Sequence, residues 1–397
     1  MRKPTICLFF SDTGGGHRSA VEAINQGLGD LVARLSPDVP KPSIVVENIV
    51  EKSHPINRHF VELYNFLLRH CQQAMKYYYW LIEATKPNDS EIGYQLAKPY
   101  VTRALEELNA DVIVSVHPMS NHYLSRALKD MGRDKTTRMI TVVTDPNGDF
   151  WSGWACKDVD LTVVPNELGR NRLIELGVSP DRILVSGMPV HPDFVKPPTC
   201  DAAEFRAHLG LDPGRPTVCI NAGWAGGGNM TGVYRALADA GTDAQVIFLC
   251  GHNRDLYERV KKEARLFATP TAVLPFHDRM ADLMSAVDLM VTKAGGLTSF
   301  ECVARRLPMA IDMITEPMPQ ELGTALLLCE QGLASPLRKP EDIVEIVSNL
   351  RPERLELPEA YSLDRTDAVY TISRTVLALA GVPTTAETVE TVYDSQG

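Results

Sequence analysis

The stretch Ile6–Leu28, ICLFFSDTGGGHRSAVEAINQGL, decides the fold. It opens on an apolar run, Ile6 to Phe10, of the length of a buried strand. Ser11, Asp12 and Thr13 end that run, and Gly14, Gly15, Gly16 and His17 follow. From Arg18 onward Ala20, Val21, Ala23, Ile24 and Leu28 recur at helical spacing. The spacing predicts a strand, a glycine turn and a helix N-terminus. The three glycines allow positive φ and a close approach of ligand to backbone. The N–H groups beyond them sit at the positive end of a helix dipole, which attracts anions. His17 can hold or release a proton near neutral pH. The turn does not fit a dinucleotide fingerprint, because GGGH is not GxGxxG and Glu47 lies rather far downstream.

The length of 397 residues predicts two or three domains. Apolar residues make up 44% and charged residues 23%, as in ordinary globular proteins. A net charge of −10 argues against a nucleic-acid binder with a basic surface, so no nucleic-acid partner is expected. The eight Cys include no CxxC pair and signal neither a zinc site nor a disulfide framework. Reduced thiols in a cytoplasmic protein are the simplest account. The opening MRKPTICLFF imitates a signal peptide, but its apolar part is short and runs straight into SDTGGGH. No apolar stretch reaches membrane-spanning length, which leaves binding to a membrane surface open.

Outward from the opening unit, Ser43–Val50 reads as a second strand. Residues 51–83 are aromatic and basic: Phe60, Tyr64, Phe66, Tyr77, Tyr78, Tyr79 and Trp80 interleave with Lys52, Arg58, His59, Arg69, His70 and Lys76. Helices of this composition suit a membrane interface, and equally a buried aromatic core with a solvated basic face. Pro99–Leu108 reads as a helix. Strands are predicted at Asp111–Val116, Met139–Thr144, Leu161–Val164 and Ile183–Ser186, with helices between. His17, His117, Asp145 and Asn166 fall at predicted strand ends, where parallel sheets bind ligands and where the four could converge on one crevice.

Residues 191–201 are proline-rich and read as a linker, after which the pattern restarts. Strands are predicted at Thr217–Asn221, Gln245–Cys250, Ala272–Leu274, Leu289–Thr292 and Met309–Asp312. The loop KAGGLTSFE puts a glycine turn directly before a helix N-terminus, which suits a pyrophosphate. Glu301, expected in the first turn of that helix, could accept both ribose hydroxyls or simply complement the dipole. Gln320 and Glu321 sit at the next strand-to-helix junction, where they could hold a sugar. The fold class is α/β, two Rossmann-like parallel-sheet domains facing a cleft.

The motifs SDTGGGHRSAVEAI, SVHP (115–118), VVTDPN (142–147), VPNE (164–167), GMPV (187–190), NAGWAGGGN, CGHN (250–253), TKAGGLTSFE and PQELGT occur in this order over about residues 5–335. In them the chain resembles the monogalactosyldiacylglycerol synthase family and the related bacterial diacylglycerol glucosyltransferases. The resemblance implies the type B glycosyltransferase fold. An acceptor- and membrane-facing domain would span 1–195 and a UDP-sugar domain 202–361. A helix over 362–380 would cross back to the first domain, with a flexible tail over 381–397.

It implies His17 as general base, with Gly15, Gly16, His117 and Asp145 on the acceptor side. Gly226, Gly227, Asn229, Phe276, His277, Lys293, Gly295, Gly296, Leu297, Thr298 and Glu301 would bind UDP, with Phe276 and His277 edging the uracil. Gln320 and Glu321 would hold the donor sugar. Residues 52–82 would face the membrane and the diacylglycerol acceptor, giving peripheral membrane association. The implied reaction moves galactose or glucose from a UDP-hexose in a single inverting displacement. No tightly bound cofactor or metal site is expected, and a loosely held magnesium on the diphosphate is allowed for. The chain departs from the plant-type GPGT loop at Gly295–Thr298, from QExGN at Gln320–Thr324 and from a glycine at Pro275. These departures touch the donor sugar. Alternatives on the same fold are an N-acetylglucosamine transferase acting on another lipid-linked acceptor, a UDP-sugar epimerase and a non-catalytic UDP-sugar binder.

Overall fold

A computed structural model describes residues 3–13, 15–53, 55–70, 74–223, 226–351, 354–357 and 367–383. The chain divides into two compact units, one of residues 1–192 and 364–397, the other of 193–363.

The first unit holds β1 (Thr5–Phe10), α1 (Gly16–Ala33), β2 (Ser43–Asn48), α2 (Val50–Ser53), α3 (Pro55–His70), α4 (Met75–Thr85) and α5 (Glu91–Leu108). It continues with β3 (Val112–Ser115), α6 (Pro118–Asp130), β4 (Arg138–Val142), β5 (Leu161–Val164), α7 (Glu167–Glu175) and β6 (Ile183–Val185). The second unit holds α8 (Ala202–His208), β7 (Thr217–Asn221), α9 (Met230–Asp239), β8 (Gln245–Leu249), α10 (Arg254–Glu263), β9 (Thr271–Leu274) and α11 (Met280–Ser285). There follow β10 (Leu289–Thr292), α12 (Gly296–Ala304), β11 (Met309–Asp312), α13 (Pro319–Glu330), β12 (Ala334–Leu337) and α14 (Asp342–Ser348). The last helix, α15 (Ala368–Leu379), belongs to the first unit.

Each unit is built on a six-stranded sheet, in the order β2-β1-β3-β4-β5-β6 and β12-β11-β10-β7-β8-β9. All pairings are parallel. The central strands are unbroken apolar runs because both faces are covered by helices: Ile6–Phe9 and Val112–Val114 are fully buried, as are Val218–Ile220 and Met290–Val291. Strand order reverses beside β1 in one sheet and beside β7 in the other. At such a reversal the flanking loops part, and a crevice opens at the carboxyl ends of the strands. In the first unit this crevice lies between β1 and β3, and in the second between β7 and β10.

Several local expectations change. The helix expected from Pro99 starts at Glu91, where Ser90 caps it by accepting from the Gly93 N–H at 3.2 Å, and it carries Pro99 inside. Strand β12 is short, at the sheet edge, and includes Pro336, so it leaves little local signal. The end of the proline-rich segment already contributes a helix cap, since Asp201 accepts from Ala203 and Glu204 at the head of α8. Of the last helix and tail, 362–366 and 384–397 lie outside the described residues.

Candidate functional site

The loop between β1 and α1 is framed from three elements. Glu51 of α2 accepts from Ser11 Oγ at 2.8 Å and from the Asp12 N–H at 2.6 Å. Asn48 at the end of β2 donates to Asp12 at 3.1 Å. Asp12 and Arg18 form a two-bond pair at 2.8 and 2.7 Å across the glycines. Gly14 lies outside the described residues. The positive φ expected of this turn is not found at Gly15, whose φ is −93°, and Gly16 is already helical. Apart from the adjoining chain, nothing lies within 4 Å of a Cβ built on either. Glycine at these two positions therefore serves openness, not backbone strain.

His17 sits in the first turn of α1. Its ring meets that of His117 edge-on, centroids 4.6 Å apart at 75°, and Trp154 at 6.0 Å. Thr144 Oγ1 lies 3.3 Å from Nδ1, and the Val116 carbonyl accepts from the ring. Burial lowers the imidazole to about 4, against a weaker raising effect of the Val116 bond. The ring is then neutral at pH 7 and carries one nitrogen lone pair, as a general base requires. His117 is buried and begins α6, its Nδ1 accepting from the Met119 N–H at 3.2 Å and its Nε2 meeting Thr13 Oγ1 at 2.8 Å. Asp145 accepts from Trp154 Nε1 at 2.7 Å, and burial raises its pKa while that bond lowers it.

Of the four polar residues at strand ends, the structure brings His17, His117 and Asp145 together. Asn166 is engaged in capping α7, its Oδ1 accepting from the Gly169 N–H at 3.1 Å, while its Nδ2 donates to the carbonyl of Pro146, the residue after Asp145, at 2.6 Å. Sequence reasoning missed Thr13, Glu51, Thr144 and Trp154. Thr13 and Thr144 lie at or beside predicted strand ends and so carried some signal; Trp154 closes a one-turn 3-10 helix, Ser152–Trp154, too short to leave a periodic pattern.

In the second unit the turn after β7 does use positive φ, at Gly226 (74°) and Gly228 (78°). A Cβ at Gly226 would lie 2.8 Å from Asn253 Cβ, and one at Gly228 would lie 2.7 Å from Asp312 Oδ2. Gly227 donates to the Ala222 carbonyl at 2.8 Å. Asp312, buried at the end of β11, ties the turn down by accepting from the Asn229 N–H at 2.9 Å, and it also takes the N–H groups of Ile314 and Thr315. Lys293 follows β10 and reaches the same place, its Cδ 3.6 Å from the Gly228 Cβ position. Glu321, in the first turn of α13, is raised by burial, lowered by Lys293 and raised again by Asp312. Gln320 lies in the same helix, but its side chain is outside the described residues.

Gly295 is the N-cap of α12, and no side chain caps that end, so the N–H groups of Gly296, Leu297 and Thr298 begin the helix bare. The expectation that Glu301 lies in the first turn is corrected: the helix starts at Gly296, which puts Glu301 in the second turn. Burial pushes its carboxyl up to about 7. Phe276 and His277 diverge. Phe276 is 52% exposed and stacks on His252, centroids 4.4 Å apart at 14°. His277 turns to Phe205 of α8, edge-on at 5.9 Å, with Nε2 buried. Asp312, the last residue of a predicted strand, and His252, quoted only within CGHN, were given no role. Among the described residues no group of three His, Cys, Asp or Glu is disposed to hold a metal.

The segment after β2 forms α2, α3 and α4. Leu63 (46%), Phe66 (53%), Tyr77 (67%), Trp80 (69%) and Leu81 (48%) are exposed on it, while Tyr64 meets Tyr78 edge-on at 5.6 Å. Its basic residues are not a free patch: Lys52 pairs with Glu47, and Arg58 and His59 both pair with Glu62. The side chains of Phe60, Arg69, His70, Lys76 and Tyr79 are outside the described residues. No helix among the described residues is long and apolar enough to cross a membrane.

Residues 17–190 match the family model described as monogalactosyldiacylglycerol (MGDG) synthase, and residues 229–317 match the glycosyltransferase family 28 C-terminal domain. The chain is 31% identical to a probable monogalactosyldiacylglycerol synthase, chloroplastic, of Nicotiana tabacum, over 92% of this chain and 69% of that protein. It is 30% identical to monogalactosyldiacylglycerol synthase 1, chloroplastic, of Arabidopsis thaliana, over 94% and 70%. Among solved structures it is similar to MurG of Acinetobacter baumannii, with a TM-score of 0.56 at 14% identity over 95% of this chain and all of that one. That likeness is one of fold, the two-domain type B arrangement.

Proposed function

The chain belongs to the monogalactosyldiacylglycerol synthase family, and on that premise we infer that it is a UDP-sugar-dependent hexosyltransferase that glycosylates diacylglycerol to make a glycolipid. The observation that carries the mechanism is His17, a neutral imidazole held at the β1–β3 crevice with its burial, its carbonyl partner and His117 around it. His17 takes the proton of the glycerol hydroxyl as that oxygen attacks the anomeric carbon, and the C–O bond to UDP breaks on the opposite face, with inversion. The charge developing on the leaving diphosphate is met by Lys293 and by the uncapped N–H groups of α12. Gly226, Gly227 and Asn229 let the backbone approach the nucleotide, Phe276 offers it a flat exposed ring, and Glu301 takes the ribose hydroxyls. Gln320 and Glu321 hold the hexose. A magnesium ion held loosely on the diphosphate is compatible with this reading.

The exposed apolar side chains of α3 and α4 support docking on a lipid surface, which brings the enzyme to an acceptor that does not leave the bilayer. With its described cations paired, that contact rests on aromatic and aliphatic groups more than on charge.

The test supplies diacylglycerol in mixed micelles with UDP-galactose and UDP-glucose in parallel. Expected are UDP and a monohexosyl-diacylglycerol of inverted anomeric configuration, with His17→Ala losing roughly 10²–10⁴-fold in kcat while its melting curve is unchanged. No transfer to diacylglycerol from either donor would overturn the function. Transfer by His17→Ala at the parental rate would overturn the base assignment.

A further inference from the structure

We propose that His117 is a positioning residue for His17, bracing the glycine loop at both of its ends. The proposal rests on His17 being the base, as inferred above. His117 is the N-cap of α6, and its Nδ1 accepts the Met119 N–H at 3.2 Å. A nitrogen that accepts carries no proton in the neutral ring, so Nε2 holds the proton and donates it to Thr13 Oγ1 at 2.8 Å. The helix cap thereby selects the tautomer that can hold Thr13.

Thr13 is the residue before the three glycines, and His17 is the residue after them. The His117 ring packs edge-on against His17 at 4.6 Å, and the carbonyl of Val116, one residue earlier, accepts from the His17 ring. One dipeptide at the end of β3 thus grips the chain on both sides of the loop. The loop needs this grip, because nothing packs within 4 Å of the Cβ positions of Gly15 and Gly16. Protonating His117 would cost it the Met119 bond and put a cation beside His17; burial first, and then the neighbouring His17, lower its pKa well below the usual imidazole range. Among the described residues, the charged groups on the elements next to the two rings are partnered: Asp145 accepts from Trp154, Asp12 pairs with Arg18, and Glu51 accepts the Asp12 backbone N–H.

The deciding variant is His117→Asn, whose amide oxygen can keep the cap while its reach to Thr13 and its ring are lost. In the full-length protein, kcat for hexose transfer to diacylglycerol is expected to fall roughly 10–100-fold, with KM for the UDP-hexose within about twofold. Histidine-labelled NMR, with the His17 resonance identified by its loss in His17→Gln, is expected to show His17 titrating about one pH unit higher as water enters. His117→Gln, which reaches toward Thr13 again, recovers part of the rate. Thr13→Val leaves the cap alone and lowers the rate, and the double variant with His117→Asn is no worse than His117→Asn.

Parental kcat in a folded His117→Asn overturns the proposal. So does a rate loss with His17 titrating unmoved, or losses from the two substitutions that add. If His117→Asn fails to melt cooperatively, Thr13→Val carries the test by the same two readouts. A parental protein that transfers no hexose overturns the proposed function instead, and the NMR arm, which needs no turnover, still decides His117.

Discussion

The base role proposed for His17 requires an unprotonated ring, and its burial keeps it so down to about pH 4. The kcat/KM profile is therefore expected to stay flat through neutrality and to fall on the acid side near pH 4; a limb near pH 6.5 would mean a solvated ring. The same depressed pKa bears on stability. The unfolded chain takes up the proton at about pH 6.5, before the folded one does, so the stability present above pH 6.5 is lost as pH falls toward 4. Glu301 runs the other way. Its folded carboxyl is raised to about 7 from 4.5, so the folded state holds a proton that the unfolded state has lost, and this contribution declines as pH rises from 4.5 through 7. Glu301→Gln is expected to abolish that decline in thermal melts and, if the carboxylate reads the ribose, to raise KM for the UDP-hexose with kcat little changed. His17, His117 and Asp145 were legible because a polar residue that ends an apolar run in a parallel sheet has one place to go. Their mutual distances were not, since Thr13 and His117 stand 104 positions apart.

The two glycine turns look alike in sequence and differ as elements. Gly226 has φ of 74° with Asn253 at 2.8 Å from a Cβ position, whereas Gly15 has φ of −93° and open space. Gly226→Ala is expected to cost about 1–3 kcal/mol in denaturant unfolding. Gly15→Ala is expected to stay within about 0.5 kcal/mol of the parent, so any activity it loses reports on substrate and not on fold. The start of α7 was readable at its Asn166 cap, whereas the capped starts of α5 at Ser90 and α8 at Asp201 were not read. The start of α12 was read late because its cap is a glycine with no side chain to announce it. Helix α15 returns to α1 and seats against Gly27, whose Cβ position lies 2.8 Å from Ser373 Oγ, with Tyr370 donating to Asp30 at 2.7 Å. No local pattern names the partner of a helix that far along the chain.

At the scale of the whole molecule, lipid contact is expected to depend on the exposed rings of α3 and α4. Replacing Phe66 and Trp80 together by Ser should release the protein from sedimenting vesicles, and raising salt should change binding of the parent little, because Lys52 and Arg58 already have carboxylate partners. Binding that collapses with salt and survives the double replacement would place the contact on charge instead. Two parallel sheets, the places where their strands end and the family motifs were written in the sequence, because a strand covered on both faces must be a continuous apolar run and its end must be polar. Tertiary structure alone decided which strand ends are neighbours, which histidine is held by which partner, and which carboxyl is raised toward neutrality by burial. Those properties depend on the reversal of strand order beside β1 and β7 and on burial by residues far away in the chain, and no local pattern encodes either.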